Sequence, residues 1–152
     1  MTHLRILVVE DDGIVAFLLG QLLEDMGHEV CAIESCEADG IAAAKRLRPD
    51  LMIVDEHLGR ESGLAVIEAV LRDVAMPFIF VSGDTAKVRA AMPLAITLEK
   101  PYFATDLERA ITDAVAQVVE GAGVGQRLAP SGAAASTEAP QVAPLSNESA
   151  GV

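Results

Sequence analysis

The chain predicts an α/β domain built on a parallel β-sheet, and three observations carry that prediction. Short, unbroken apolar runs alternate with segments whose apolar residues recur at helical spacing. The alternation counts five strands and five helices in strict succession. Charged or hydroxyl residues follow the strands directly, and a sheet covered by helices on both faces places its ligand sites beyond the carboxyl ends of its strands.

The first strand is "LRILVV", residues 4–9. After the acids Glu10, Asp11 and Asp12, an apolar set of Val15, Leu18, Leu19, Leu22, Leu23 and Met26 predicts a helix that Gly27 stops. "EVCAI", residues 29–33, is the second strand, followed by a helix over 35–48 that Pro49 ends. "LMIV", residues 51–54, leads into a loop through Gly59 and Gly63, then a helix carrying Leu64, Ile67, Val70 and Leu71. "PFIFV", residues 77–81, is the fourth strand, with a short helix through Lys87 and Ala91 behind it. "AITL", residues 95–98, is the fifth. A closing helix starts on a capping box of Thr105 and Glu108 and presents Leu107, Ile111, Ala114, Val115 and Val118 on one face.

At 152 residues and 51% hydrophobic composition, the chain is one domain with a substantial core. Its net charge of −12 opposes binding to nucleic acid or to an anionic membrane, both of which need clustered Lys and Arg. Two cysteines, Cys31 and Cys36, are too few for a disulfide framework, and a free thiol within a strand suits a reducing cytoplasm. No run reaches the length of a membrane span, and the N-terminus lacks a signal-peptide layout. From Gly121 the composition turns to Gly, Ala, Pro and Ser, which predicts a folded domain over residues 1–120 and a flexible tail over 121–152.

The strand ends hold the chemistry. One or two acids after a strand are ordinary helix starters; a third adds repulsion that a bound cation commonly offsets. Glu10, Asp11 and Asp12 follow the first strand, Asp55 the third, Ser82 and Gly83 the fourth, and Glu99, Lys100 and Pro101 the fifth. With the first strand central and the third, fourth and fifth beside it, these groups share one crevice. An ionised Asp55 held near positive charge can act as a nucleophile. Mg2+ takes carboxylate and water oxygens, which makes Asp11 and Asp55 its expected ligands. Lys100 supplies a point charge and Ser82 a hydroxyl at the same crevice, and Asp12 caps the following helix.

The motifs "LVVEDD", "LMIVDEHLGRESG", "FVSG" and "LEKPY" fall in order on these strands, and over residues 4–120 the chain resembles the receiver domain of two-component response regulators. The resemblance implies a flavodoxin-like, doubly wound sheet in the order 2-1-3-4-5. It implies phosphorylation of Asp55 by a histidine kinase or histidine phosphotransfer protein. It adds the backbone carbonyl of His57 to the Mg2+ ligands, gives Glu10 an outer, water-mediated role, and places a cis bond before Pro101. The signal is then expected on the face of the fourth helix, fifth strand and fifth helix, as Ser82 moves and drags residues 83–85. "PFIFVSG" further resembles a subgroup of single-domain alphaproteobacterial regulators with a PFxFxTG-like fourth strand.

Three departures from the family pattern stand out. Thr97 occupies the place of the aromatic switch residue, three before the lysine; Gly59 stands where Pro is usual, predicting a looser loop; and the stretch from Ser82 to Lys100 is short, predicting an abbreviated fourth helix. The favoured reading is a stand-alone, cytoplasmic phosphoacceptor that is no enzyme beyond its own phosphorylation and dephosphorylation. It signals to an unknown downstream protein or serves as a phosphate sink. Two alternatives are a receiver-like scaffold that works without phosphate, and an aspartate-nucleophile phosphohydrolase, for which His57 stands where a second acid is expected.

Overall fold

The computed structural model describes residues 2–128. In chain order the elements are β1 (Arg5–Val9), α1 (Gly13–Asp25), β2 (Glu29–Glu34), α2 (Glu37–Leu47), β3 (Leu51–Asp55), β4 (His57–Leu58), β5 (Glu61–Ser62), α3 (Gly63–Leu71), β6 (Phe78–Ser82), α4 (Ala86–Ala91), β7 (Ile96–Glu99) and α5 (Ala104–Leu128). Five strands form one parallel sheet in the order β2-β1-β3-β6-β7. This is the expected 2-1-3-4-5 order, interrupted in sequence by a small β4–β5 hairpin.

Alternation along the strands divides the core in two. Ile6, Val8, Leu51, Ile53, Ile79, Val81 and Leu98 face α1 and α5, where Leu19, Leu23, Leu107, Ile111 and Ala114 meet them. Leu7, Val9, Met52, Val54 and Phe80 face the opposite way, against Ala43 and Ala44 of α2, Val66, Ile67 and Val70 of α3, and Val88 of α4. Strands buried on both faces have no polar side to show, which is why they read as continuous apolar runs.

Four strands run one residue past their apolar stretch, β2 to Glu34, β3 to Asp55, β6 to Ser82 and β7 to Glu99. Asp55 pairs with Val81, and Ser82 with Glu99, as the last rungs of the ladder. Sheet pairing uses the backbone and is blind to side-chain polarity, so the polar residue after each run is held as firmly as the run itself.

Helix ends differ in detail from expectation. Asp12 caps α1 as predicted, its Oδ1 accepting from the Ile14 and Val15 N–H groups at 2.9 and 3.1 Å. Gly27, at φ +88°, ends it. The expected box of Thr105 and Glu108 gives way to a one-sided cap two residues earlier: the Phe103 N–H donates to Asp106 Oδ2 at 2.9 Å, and the Phe103 carbonyl accepts from the Asp106 and Leu107 N–H groups. Proline and the ladder before it set where the helix can start, and the acid one turn in takes the exposed donor. The segment after Asp55, expected as a loose loop, is the β4–β5 hairpin, with Gly59 in a left-handed conformation at its turn. The fourth helix is short as expected, six residues. The last helix continues past Glu120 to Leu128, and the remainder of the expected tail lies outside the described residues.

On α1 the apolar set is wider than the buried stripe. Ala16, Leu19, Gly20 and Leu23 are buried, whereas Leu18, together with Ile14 and Phe17, is exposed. Among the described residues no helix is long and apolar enough to cross a membrane. Both cysteines are free and half-buried.

Phe80 is wholly buried in the second core layer and meets the Phe78 ring edge-on at a centroid separation of 5.4 Å. Phe80→Ala should lower unfolding free energy by about 3–5 kcal/mol in urea titrations. Leu94→Ser, at an exposed position, should change it by no more than about 0.5 kcal/mol.

Candidate functional site

Each site residue hangs from the sheet by its backbone. The Glu10 N–H donates to the Glu34 carbonyl at 2.9 Å as β1 ends, the Glu56 N–H to the Val81 carbonyl at 3.0 Å as β3 ends, and the Lys100 N–H to the Ser82 carbonyl at 2.9 Å as β7 ends. These bonds carry the central strands' register out to the residues that follow them. Polar groups distant in sequence therefore reach one crevice.

Within it, Lys100 Nζ stands 2.7 Å from Asp55 Oδ2 and 3.4 Å from Glu10 Oε2. The other Asp55 oxygen accepts from the His57 N–H at 2.9 Å, and Glu10 Oε1 accepts from the Asp12 N–H at 3.0 Å. Glu10 and Asp55 are buried and Asp11 is exposed, with one carboxylate oxygen of each of the three lying within 4.8 Å of the others. The peptide bond from Lys100 to Pro101 is cis, as the motif implies.

Burial and the hydrogen bonds within the group set how it titrates. Burial, then a proton shared with Asp55, pushes Glu10 up to about 7. Burial also works to raise Asp55, but its hydrogen bonds with Glu10, Lys100 and the His57 N–H leave it below the ordinary aspartate range. Burial pulls Lys100 down, and the two carboxylates more than offset this, so its ammonium is held above the usual lysine value. Asp55 is the carboxylate kept ionised; Glu10 is the one that gives way.

Ser82 and Thr97 are placed differently. Ser82 is the last residue of β6 and fully buried, but its Oγ donates to the Asp84 carbonyl at 2.8 Å and accepts from the Asp84 N–H at 3.1 Å. Its hydroxyl is thus occupied by its own turn. Thr97 is half-buried in β7 and lines a cleft with Tyr102, Asp106 and Arg109. Burial raises the Tyr102 phenol above its ordinary pKa. The His57 ring turns to Glu56, with Nδ1 3.3 Å from Oε2.

Gly63 is a site residue that motif spacing did not single out. A Cβ there would overlap the Asp55 carbonyl oxygen and sit 2.8 Å from its carbonyl carbon and 2.9 Å from Val54 Cγ1. Only glycine lets the start of α3 pack against the backbone of Asp55. The glycine two residues beyond Glu61 was visible in the sequence; the strand passing behind it was not.

A doubly wound parallel sheet that gathers three carboxylates and a lysine at its strand ends defines a class of acidic, cation-attracting α/β site with an ionised aspartate at its centre. Over residues 6–112 the chain matches the response regulator receiver domain, and it belongs to that family. It is 26% identical over 115 residues to the phyllosphere-induced regulator PhyR of Methylorubrum extorquens, covering 73% of this chain and 43% of that protein. It is 30% identical over 110 residues to protein-glutamate methylesterase/protein-glutamine glutaminase 1 of Syntrophus aciditrophicus, covering 66% of this chain and 31% of that protein. The chain thus spans less than half the length of either curated relative. Among solved structures it is similar to the signal receiver domain of a modulated diguanylate cyclase from Desulfovibrio desulfuricans G20, with a TM-score of 0.71 and 26% identity over 79% of this chain and 99% of that one. The likeness to PhyR agrees with the subgroup suggested by "PFIFVSG".

In metal-free protein, the raised Glu10 value ties stability to pH. The folded state retains a proton that the unfolded chain, with Glu10 near 4.5, has lost. Stability from this group is therefore full below about pH 4.5 and declines as pH rises through about 7, by at most about 1.4 kcal/mol per pH unit. Urea midpoints measured in EDTA at pH 5 and pH 8 should differ less in Glu10→Gln than in the unmodified protein.

Proposed function

We propose that the protein accepts a phosphoryl group on Asp55 from a histidine kinase or histidine phosphotransfer protein in a Mg2+-dependent reaction. It then signals by a change in partner binding, or acts as a phosphate sink, in the cytoplasm. The observation that carries this reading is the Asp55–Lys100 pair: an ionised buried carboxylate with one oxygen 2.7 Å from a lysine ammonium, beside two further acids.

In the transfer, an Asp55 carboxylate oxygen forms a bond to phosphorus as the phosphorus–nitrogen bond to the donor imidazole breaks and the imidazole takes a proton. The loose transition state spreads charge over the equatorial oxygens, so positioning and electrostatics do most of the work. Lys100 is fixed by the β6–β7 ladder and already charged, ready to take up one of those oxygens. The His57 N–H orients the Asp55 carboxylate. Glu10, Asp11, Asp55 and the His57 backbone carbonyl would hold Mg2+, which supplies neutralising charge to the phosphoryl oxygens. Three clustered carboxylates, one of them pushed up to about 7 chiefly by burial, suit such an ion.

Ser82 must release Asp84 before it can bind a phosphoryl oxygen, and that exchange would move the turn before α4. The output face would then comprise α4, β7 and α5, where Thr97 leaves a cleft beside Tyr102 and Arg109 instead of a large switching ring. The small-molecule phosphohydrolase reading has less support, because the ring of His57 is turned toward Glu56.

The donor's docking face is suggested by apolar surface on α1. Ile14, Phe17 and Leu18 are exposed, and a groove lined by Val15, Leu18 and Leu22 continues onto Pro101 and Tyr102 beside Lys100. Exposed apolar area adjoining a polar reaction site fits a protein partner that brings the phosphoryl group.

Acetyl phosphate with Mg2+ should yield an acid-stable, base-labile adduct on the intact chain and none on Asp55→Asn; an adduct persisting in that variant, or none in either protein, overturns the assignment. Leu18→Asp should leave acetyl phosphate labelling intact while slowing transfer from a phosphorylated phosphotransfer protein by about tenfold or more. Quench-flow autoradiography separates the two effects.

A further inference from the structure

Glu56 follows the phosphoacceptor directly, and its carboxylate has a role the transfer chemistry does not use. The side chain is only 1% exposed, and neither oxygen has a hydrogen-bond partner among the described residues. Two side chains reach it from the surface. Lys87 Nζ, at the start of α4, lies 3.5 Å from Oε1, and His57 Nδ1 lies 3.3 Å from Oε2; these residues are 66% and 70% exposed. A buried carboxylate is strongly unfavourable unless a cation answers it, so Glu56 holds its partners inward more firmly than a surface acid would.

The helix carrying Lys87 is short and lightly packed. It is six residues long and buries only Val88; Thr85 before it makes no side-chain capping bond, and the Ala86 N–H donates instead to Asp84 Oδ1 at 3.0 Å, in the same turn that binds Ser82. A helix of that length does not persist on propensity alone. Glu56, by contrast, is anchored on both sides: its N–H donates to the Val81 carbonyl and its carbonyl accepts from the Gly63 N–H at 2.9 Å. One end of the ion pair is rigid and the other sits on the least secured helix of the domain.

We propose that Glu56 is a positioning residue which, through Lys87, holds α4 and the preceding turn in the arrangement where the Ser82 hydroxyl is bound to Asp84. The ion pair acts as a latch between the end of β3 and the first turn of α4. Only the consequence for signalling rests on the phosphoacceptor reading: moving Ser82 toward Asp55 would draw residues 83–87 away and leave Glu56 without its lysine. The latch would thereby favour the resting arrangement.

The test needs no phosphoryl donor, so it can fail independently of that reading. Amide hydrogen exchange is followed on the full chain at Arg89 and Met92, whose N–H groups bond back to Thr85 and Val88, with amides of α2 as internal reference. Lys87→Met should speed exchange at both by about fivefold or more, Lys87→Arg should restore it, and Glu56→Gln should match Lys87→Met. The double variant should be no faster than either single one, because both remove the same pair. Unchanged exchange in Lys87→Met, or an equal acceleration by Lys87→Met in the Glu56 and Gln backgrounds, overturns the proposal. Should Glu56→Gln not fold, the comparison of Lys87→Met with Lys87→Arg at this exposed position decides alone, and equal exchange in those two overturns it.

Discussion

Three carboxylates face one ammonium at the carboxyl end of this sheet, and the shortage of positive charge organises the site around it. Lys100 is bound most closely to Asp55, whose ionised form gains from three separate hydrogen-bonding groups, while Glu10 keeps a proton to near neutral pH. A divalent cation would complete the balance by taking the place of the proton, with Asp11 offering an exposed ligand at the rim.

Such an imbalance survives only because the scaffold leaves the groups nowhere else to go. The backbones of Glu10, Glu56 and Lys100 are tied to neighbouring strands, and the core on both sides of the sheet is filled by buried aliphatic side chains and Phe80. Gly63 extends the same constraint to α3, whose start lies against the Asp55 carbonyl. The rigid half of the site, β1 and β3 with their acids, thus meets a less secured half formed by the Ser82 turn and α4. That contrast gives a charge change at Asp55 a direction in which to act.

The surface divides along the same line. Exposed apolar residues gather on α1 beside the crevice, whereas the cleft at Thr97 is lined by Asp106, Arg109 and Asp113 and is more polar. The two curated relatives share the receiver portion and extend well beyond it, so the likeness to them is confined to that portion. Output is a matter for the faces on which they differ.

Much of this was legible in the chain itself. Alternating apolar runs and helical periods specify a covered parallel sheet because burial on both faces removes polar residues from a strand, and polar residues after the runs mark the strand ends. Glu10, Asp11, Asp55 and Lys100 could be assembled on that basis, and Asp12 recognised as a cap from its place before a helix. Other features needed the folded chain. The last rung of each strand, the earlier cap at Phe103 and Asp106, and the β4–β5 hairpin depend on backbone bonds to partners far away or on local geometry that apolar pattern does not record. Whether Leu18 is core or surface depends on how wide a stripe the sheet can cover. The burial of Glu56 and the need for glycine at position 63 were decided by tertiary structure alone, since each turns on which atoms are brought alongside, and distance in space is not written in spacing along the chain.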